Sequence, residues 1–154
     1  MTIETILKSK NVKDNSQKVA LNIIYTQNIL NENFNEFLKP YDLSVEQFNV
    51  LRILRGQNGK PANMCLIQER MISKTSNTTR LVDKLLLKEL VTREVCSENR
   101  RKIEVVITKK GLNLLLELDP KVINSQNSFS DNLTEEELET LNILLEKYRN
   151  KNKN

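Results

Sequence analysis

The segment Met71-Ile72-Ser73-Lys74-Thr75-Ser76-Asn77-Thr78-Thr79-Arg80-Leu81-Val82-Asp83-Lys84-Leu85 reads as the turn and second helix of a helix-turn-helix. Thr78, Leu81, Val82 and Leu85 fall at i, i+3, i+4 and i+7, the spacing of one inward-facing helical stripe. Ser76, Asn77, Arg80 and Lys84 then share another face, with Lys74, Thr75 and Thr79 beside them near the helix start. Ser73 is the expected N-cap, for a helix running roughly from Lys74 to Leu90. Ahead of it, Asn63 is placed to cap a short helix from Met64 to Met71. About three residues would join the two, with Ile72 plugging the corner and Cys65 partly buried in the first helix.

Downstream the period changes from 3.6 to 2. Val91, Arg93 and Val95 alternate with Thr92, Glu94 and Cys96, and Ile103, Val105 and Ile107 alternate with Lys102, Glu104 and Val106. Between these two strands lies Ser97-Glu98-Asn99-Arg100-Arg101, a polar and basic hairpin tip. Thr108 should cap a long helix carrying Leu112, Leu115, Leu116, Val122, Ile123 and Phe129, which Pro120 should bend or interrupt. Thr134-Glu135-Glu136-Glu137 reads as a capping box opening a last helix with Leu138, Leu141, Leu145 and Tyr148. The Lys/Asn-rich end, Asn150 to Asn154, reads as disordered.

Upstream, helical spacing from about Val12 to Leu38 predicts a helix that stops before Pro40. Ser44-Val45-Glu46-Gln47 is a capping box for a helix through Phe48, Leu51 and Leu54 to Gly56, followed by a turn at Gln57-Asn58-Gly59-Lys60-Pro61. The expected fold is mainly α with a small β-hairpin wing. It forms a single domain over 1–154, in which about 40–110 is the winged helix-turn-helix and 12–38 with 112–149 the flanking helical part.

Charge is divided along the chain. The net +4 comprises +6 over residues 60–111, with 12 Lys or Arg against 6 Asp or Glu, and −2 elsewhere, with 12 against 14. A basic middle between near-neutral flanks suits an anionic partner held by the middle alone. No apolar run approaches the roughly 18 residues of a membrane span, and the first 15 residues lack the apolar core of a signal peptide, so a cytoplasmic location is expected. The two cysteines are neither a disulfide framework nor a metal motif, and no metal or cofactor is expected. The absence of histidine removes Ser-His and Cys-His nucleophilic pairs, and the glycines form no phosphate-binding fingerprint, so an enzyme is not expected.

The exposed face of Lys74, Thr75, Ser76, Asn77, Thr79, Arg80 and Lys84 carries groups that hydrogen-bond base edges and phosphates, and the major groove admits a helix. Arg100 and Arg101 at the hairpin tip can reach a neighbouring minor groove, where negative potential is concentrated. Each feature alone also fits an ordinary solvated surface. Together and in this order they point to double-stranded DNA.

Those residues carry a resemblance. Met71 to Leu85, Leu90-Val91-Thr92-Arg93, Asn99-Arg100-Arg101, Ile107-Thr108-Lys109-Lys110-Gly111 and Leu43 to Leu51 together resemble the multiple antibiotic resistance regulator (MarR) family over nearly the whole chain. The resemblance implies a winged-helix homodimer, usually a repressor, on a pseudo-palindromic operator. Residues 74–84 would then lie in the major groove and Arg100 with Arg101 in the minor groove. Two positions depart from the family pattern. Glu89 stands where glycine is usual before the first strand, so that helix end is expected to close differently. Asn99 stands in place of an aspartate in the wing.

The resemblance also implies a small aromatic or anionic effector, for which Tyr25, Phe34, Phe37, Tyr41, Phe48 and Arg52 are lining candidates, though each also fits the core. Two other readings stay open: a winged helix that binds protein or RNA, and a thiol-based redox sensor acting through Cys96, near Arg93, Arg100 and Arg101.

Overall fold

The computed structural model describes residues 1–8, 14–95 and 103–150. Contacts divide the chain into two units, Met1–Leu116 and Glu117–Asn154.

The first unit opens with a short helix, α1 (Ile3–Ile6), which sequence periodicity did not announce. It packs on α2 (Asn15–Leu38), and the Glu4 carboxylate meets the Lys18 ammonium at 2.5 Å. That hydrogen bond holds Glu4 down at a pKa of about 2. Helix α2 starts at Asp14, whose side chain accepts from the Gln17 N–H, and it ends before Pro40 in a 3-10 turn, Lys39–Tyr41. Helix α3 (Val45–Arg55) has the expected capping box, with Ser44 and Gln47 each bonding the other's backbone N–H. Its apolar stripe fills the core: Phe48, Val50, Leu51, Ile53 and Leu54 are buried with Ile67, Met71, Val82, Leu85 and Val105. Asn58 and Gly59 both take positive φ, closing the following turn with a Lys60 N–H to Gln57 O bond of 3.1 Å.

The sheet has a third strand, in residues where the sequence predicts only the helix cap at Asn63. Ala62–Asn63 forms β1, and the strand order is β1-β3-β2, with β2 (Val91–Val95) and β3 (Ile103–Ile107) antiparallel. Ala62 opposes Val105, Val91 opposes Ile107, and Val95 opposes Ile103. The hairpin tip that joins β2 to β3, with Cys96, Asn99, Arg100 and Arg101, lies outside the described residues, as does the end, 151–154.

Between β1 and β2 stand α4 (Met64–Arg70), capped by Asn63, and α5 (Thr78–Leu87). Helix α6 (Lys109–Ser130) begins in the first unit. Thr108 caps it by accepting from the Gly111 N–H at 3.1 Å. A Cβ on Gly111 would sit 2.4 Å from the Leu90 carbonyl oxygen, so only glycine lets the helix start approach that strand end so closely. Contrary to expectation, α6 continues through Pro120. The proline ring is exposed, so water can take the carbonyl left without its N–H.

The second unit comprises the rest of α6 and α7 (Glu135–Arg149). Thr134 and Glu137 form the expected capping box, Thr134 N to Glu137 Oε2 being 2.9 Å. Leu118 and Val122 are buried, but α7 buries no residue at all. Among the described residues no helix is long and apolar enough to cross a membrane.

Candidate nucleic-acid interface

The turn between α4 and α5 is longer than the sequence suggested. Met71–Asn77 separates the helices, and Asn77, not Ser73, caps α5 by accepting from the Arg80 N–H at 3.1 Å. Lys74, Thr75 and Ser76 therefore stand on the turn, not in the helix. Met71 fills the corner instead of Ile72, because it continues the α4 stripe from Ile67 at i+4 and is 1% exposed. Ile72, one residue on, is 87% exposed. Cys65 is exposed, not partly buried, since it sits at the second position of α4 on the side away from Ile67.

Helix α5 buries Thr78, Val82 and Leu85, with Leu81 half-buried, as the periodicity required. Asn77, Thr79, Arg80 and Lys84 are exposed, as are Lys74 and Thr75 on the turn, while Ser76 is half-buried. Not all of them are free to meet a ligand in the same way. The Lys74 ammonium donates to the Glu69 carbonyl at the end of α4. Ser76, Asn77 and Thr79 line a groove of about 560 Å³ between α4 and the start of α5, together with Cys65 and Gln68. Lys84 points elsewhere, into a second groove of about 560 Å³ with Lys39, Asp42, Lys88 and Gln47. Arg80 is exposed on α5 and lines neither groove.

Ion pairs tie this helix to its surroundings. Asp83 meets Arg93 of β2 at 2.6 Å, joining α5 to the base of the wing. Lys88 meets Asp42 at 2.7 Å, and its ammonium holds the Asp42 carboxyl below the usual carboxylate range. Asp42 is itself left-handed, at φ 51°.

The end of α5 closes in a way the sequence reading did not expect. Leu90 N–H bonds to Leu85 O at 3.0 Å and Glu89 N–H to Leu86 O at 2.9 Å, a Schellman motif, with Glu89 at φ 60°. The glycine closure is thus kept, and a glutamate occupies the left-handed position. The Glu89 carbonyl accepts from the Thr108 hydroxyl at 2.8 Å, and its exposed carboxylate meets Lys110 at 3.0 Å.

The six effector candidates lie on α2, the 3-10 turn and α3. Phe34 and Phe37 meet on α2 with ring centroids 5.0 Å apart and planes tilted by 50°, and Arg52 lies 5.9 Å over the buried Phe48 ring. Tyr25 is at the exposed surface of α2 and Tyr41 half-buried in the 3-10 turn. None of the six lines either groove. Sequence reasoning also missed Asn49 and Gln68, whose amides hold the turn: Asn49 Oδ1 accepts from Ile72 N–H at 3.0 Å, and Gln68 Nε2 donates to Lys74 O at 2.8 Å. Only the three-dimensional course of a seven-residue turn brings these groups together, so no local spacing could have marked them.

Comparison with known proteins gives a consistent picture. The MarR family model matches residues 43–103, which span α3 through the start of β3. The HTH-type transcriptional regulator MhqR of Bacillus subtilis (strain 168) is 28% identical over 118 residues, covering 77% of this chain and 80% of that protein. The crystal structure of a MarR transcription factor from Planctomyces limnophilus is 30% identical with a TM-score of 0.68, covering 88% of this chain and 98% of the other. A MarR variant from E. coli, solved with operator DNA, is similar in fold, with a TM-score of 0.76 at 23% identity, covering 90% of this chain and all of the other.

Proposed function

The chain belongs to the MarR family of DNA-binding transcription regulators, and from that premise we propose that it is a ligand-responsive repressor that occludes a pseudo-palindromic operator as a homodimer. The observation that carries the DNA-reading surface is the start of α5. Lys74, Thr75, Asn77, Thr79 and Arg80 are gathered there, exposed, on a turn tied to the core at Met71. Arg80 is the base-reading residue, since its fork can bond two acceptors on one guanine edge. Lys74 and the α5 start bind backbone phosphate. Arg100 and Arg101 reach the adjacent minor groove. The E. coli relative's complex with operator DNA supports this assignment by fold.

Exposed apolar side chains on the terminal helices support the dimer. Ile24 of α2, Ile123 of α6, and Ile143, Leu144 and Tyr148 of α7 are all more than half exposed. A second copy covering them would set two recognition helices about one DNA turn apart, roughly 34–36 Å. Residues of about 40–110 are then the DNA-binding part, and 12–38 with 112–149 the dimerisation part.

The effector is a small anion. Its seat is the groove at the far end of α5, where Lys39, Lys84 and Lys88 converge around Asp42. That location supports it better than the scattered aromatic side chains do.

The test is a fluorescence-anisotropy titration of the purified protein with duplex from the region upstream of its own gene, against scrambled duplex, at two salt concentrations. Selective binding at two chains per duplex, weakening steeply with salt, is the expected result. Equal binding to both duplexes, with one chain per duplex, would contradict the proposal.

A further inference from the structure

We propose that Gln68 is the positioning residue of the recognition turn: its single side-chain amide straps the Lys74 carbonyl to the Thr78 hydroxyl and sets the DNA-reading face before DNA arrives. The inference rests on the reading that residues 74–80 face DNA. The turn from Met71 to Asn77 has little regular hydrogen bonding of its own. Its own closing bond is Ser76 N–H to Ser73 O at 3.3 Å. Bonds to the flanking helices add to it: besides the Lys74 ammonium on the Glu69 carbonyl, two side chains hold the turn's backbone. Asn49 of α3 fixes the entry by accepting from the Ile72 N–H at 3.0 Å. Gln68 of α4 fixes the exit: its Nε2 donates to Lys74 O at 2.8 Å while its Oε1 accepts from the Thr78 hydroxyl.

The chemistry is specific to glutamine. Thr78 is 5% exposed, so little of its hydroxyl is open to water and an acceptor within the protein satisfies it. The Lys74 carbonyl, on the exposed turn, takes its donor from the same side chain. A primary amide offers both on one planar group, whereas a carboxylate would repel the carbonyl and a thioether would satisfy neither. Thr75, Ser76 and Asn77 lie between the two ends of this strap, with Lys74 at its first end. Fixing them in the free protein removes an ordering cost that DNA binding would otherwise bear.

Three variants separate positioning from simple support: Gln68→Met, Gln68→Met with Thr78→Val, and Arg80→Ala. Each is measured by amide hydrogen exchange in the free protein, by melting temperature, and by affinity for a duplex selected by the wild-type protein and for a scrambled one. Gln68→Met should speed exchange across 71–78 and weaken selected-duplex binding about tenfold, leaving scrambled-duplex binding unchanged. Adding Thr78→Val removes the hydroxyl left without a partner, so it should restore the melting temperature but neither slow exchange nor selective binding. Unchanged exchange in Gln68→Met, wild-type affinity despite faster exchange, or selective binding regained in the double variant would each overturn the proposal. Arg80→Ala tests the interface reading separately, with affinity lost at unchanged exchange. If it binds as the wild type does, that reading falls, while the exchange result still decides whether the strap exists.

Discussion

Helices α3 and α7 each carry six apolar residues, yet their fates are opposite. In α3 Phe48, Val50, Leu51, Ile53 and Leu54 are buried, with only Val45 partly exposed. In α7 none of Leu138, Leu141, Ile143, Leu144, Leu145 and Tyr148 is buried. A 15-residue helix is marginal by itself in water. The difference teaches that the winged-helix region is completed by its own contacts, while α7 leaves an apolar surface that the proposed dimer would cover.

The sharpest way to break that contrast is to charge the exposed stripe. Ile143→Glu with Leu144→Glu should convert the protein to monomer and weaken binding to a two-half-site duplex by about a hundredfold or more, because the second half-site no longer binds intramolecularly. Sedimentation velocity and titration read both effects, and a variant that stays dimeric would remove α7 from the interface. Next in size, Leu54→Ala opens a cavity in a fully packed site and should cost about 2–5 kcal/mol in denaturant unfolding, with the folded fraction still dimeric. A loss below 1 kcal/mol would mean that the α3 core is looser than its burial implies.

Glu89→Gly should act in the other direction. Removing a side chain from φ 60° relieves left-handed strain, and stability should rise by up to about 1 kcal/mol, since the exposed pair with Lys110 contributes little. A fall in melting temperature would show that the Glu89 side chain matters more than its backbone. The smallest effect is acidic. Glu4 titrates at about 2 when folded, against 4.5 ordinarily, so its contribution is present above pH 4.5 and is lost as pH falls toward 2. Glu4→Gln should flatten that part of the stability profile slightly, and an unchanged profile would mean that Lys18 does not hold it in solution.

Much of the fold was legible in the sequence because its signals are local. Both capping boxes, the α4 cap at Asn63 and the period-2 strands follow from spacing within a few residues. Strand β1 was not legible, because two residues have no period and Ala62–Asn63 become a strand only by pairing with β3. The recognition turn was misread for a related reason. Ser73 and Asn77 are both competent caps, and Asn77 is the one used, on a turn bonded by Gln68 and Asn49, which sequence distance conceals. Glu89 was read as a departure that must change the helix end, whereas the Schellman bonds there held and the residue bent to them. Of the candidate DNA-binding residues, Lys84 shares the exposed side of α5 with Arg80, as the wheel expects, and it also lines the second groove.

The central claim, that two copies present two α5 helices to one DNA, is tested most directly by selecting from a random duplex pool with the wild-type protein and sequencing what is retained. The account predicts an inverted repeat whose half-sites are centred about one helical turn apart, 10–10.5 base pairs. Enrichment of a single unpaired half-site, or of no sequence at all, would contradict it.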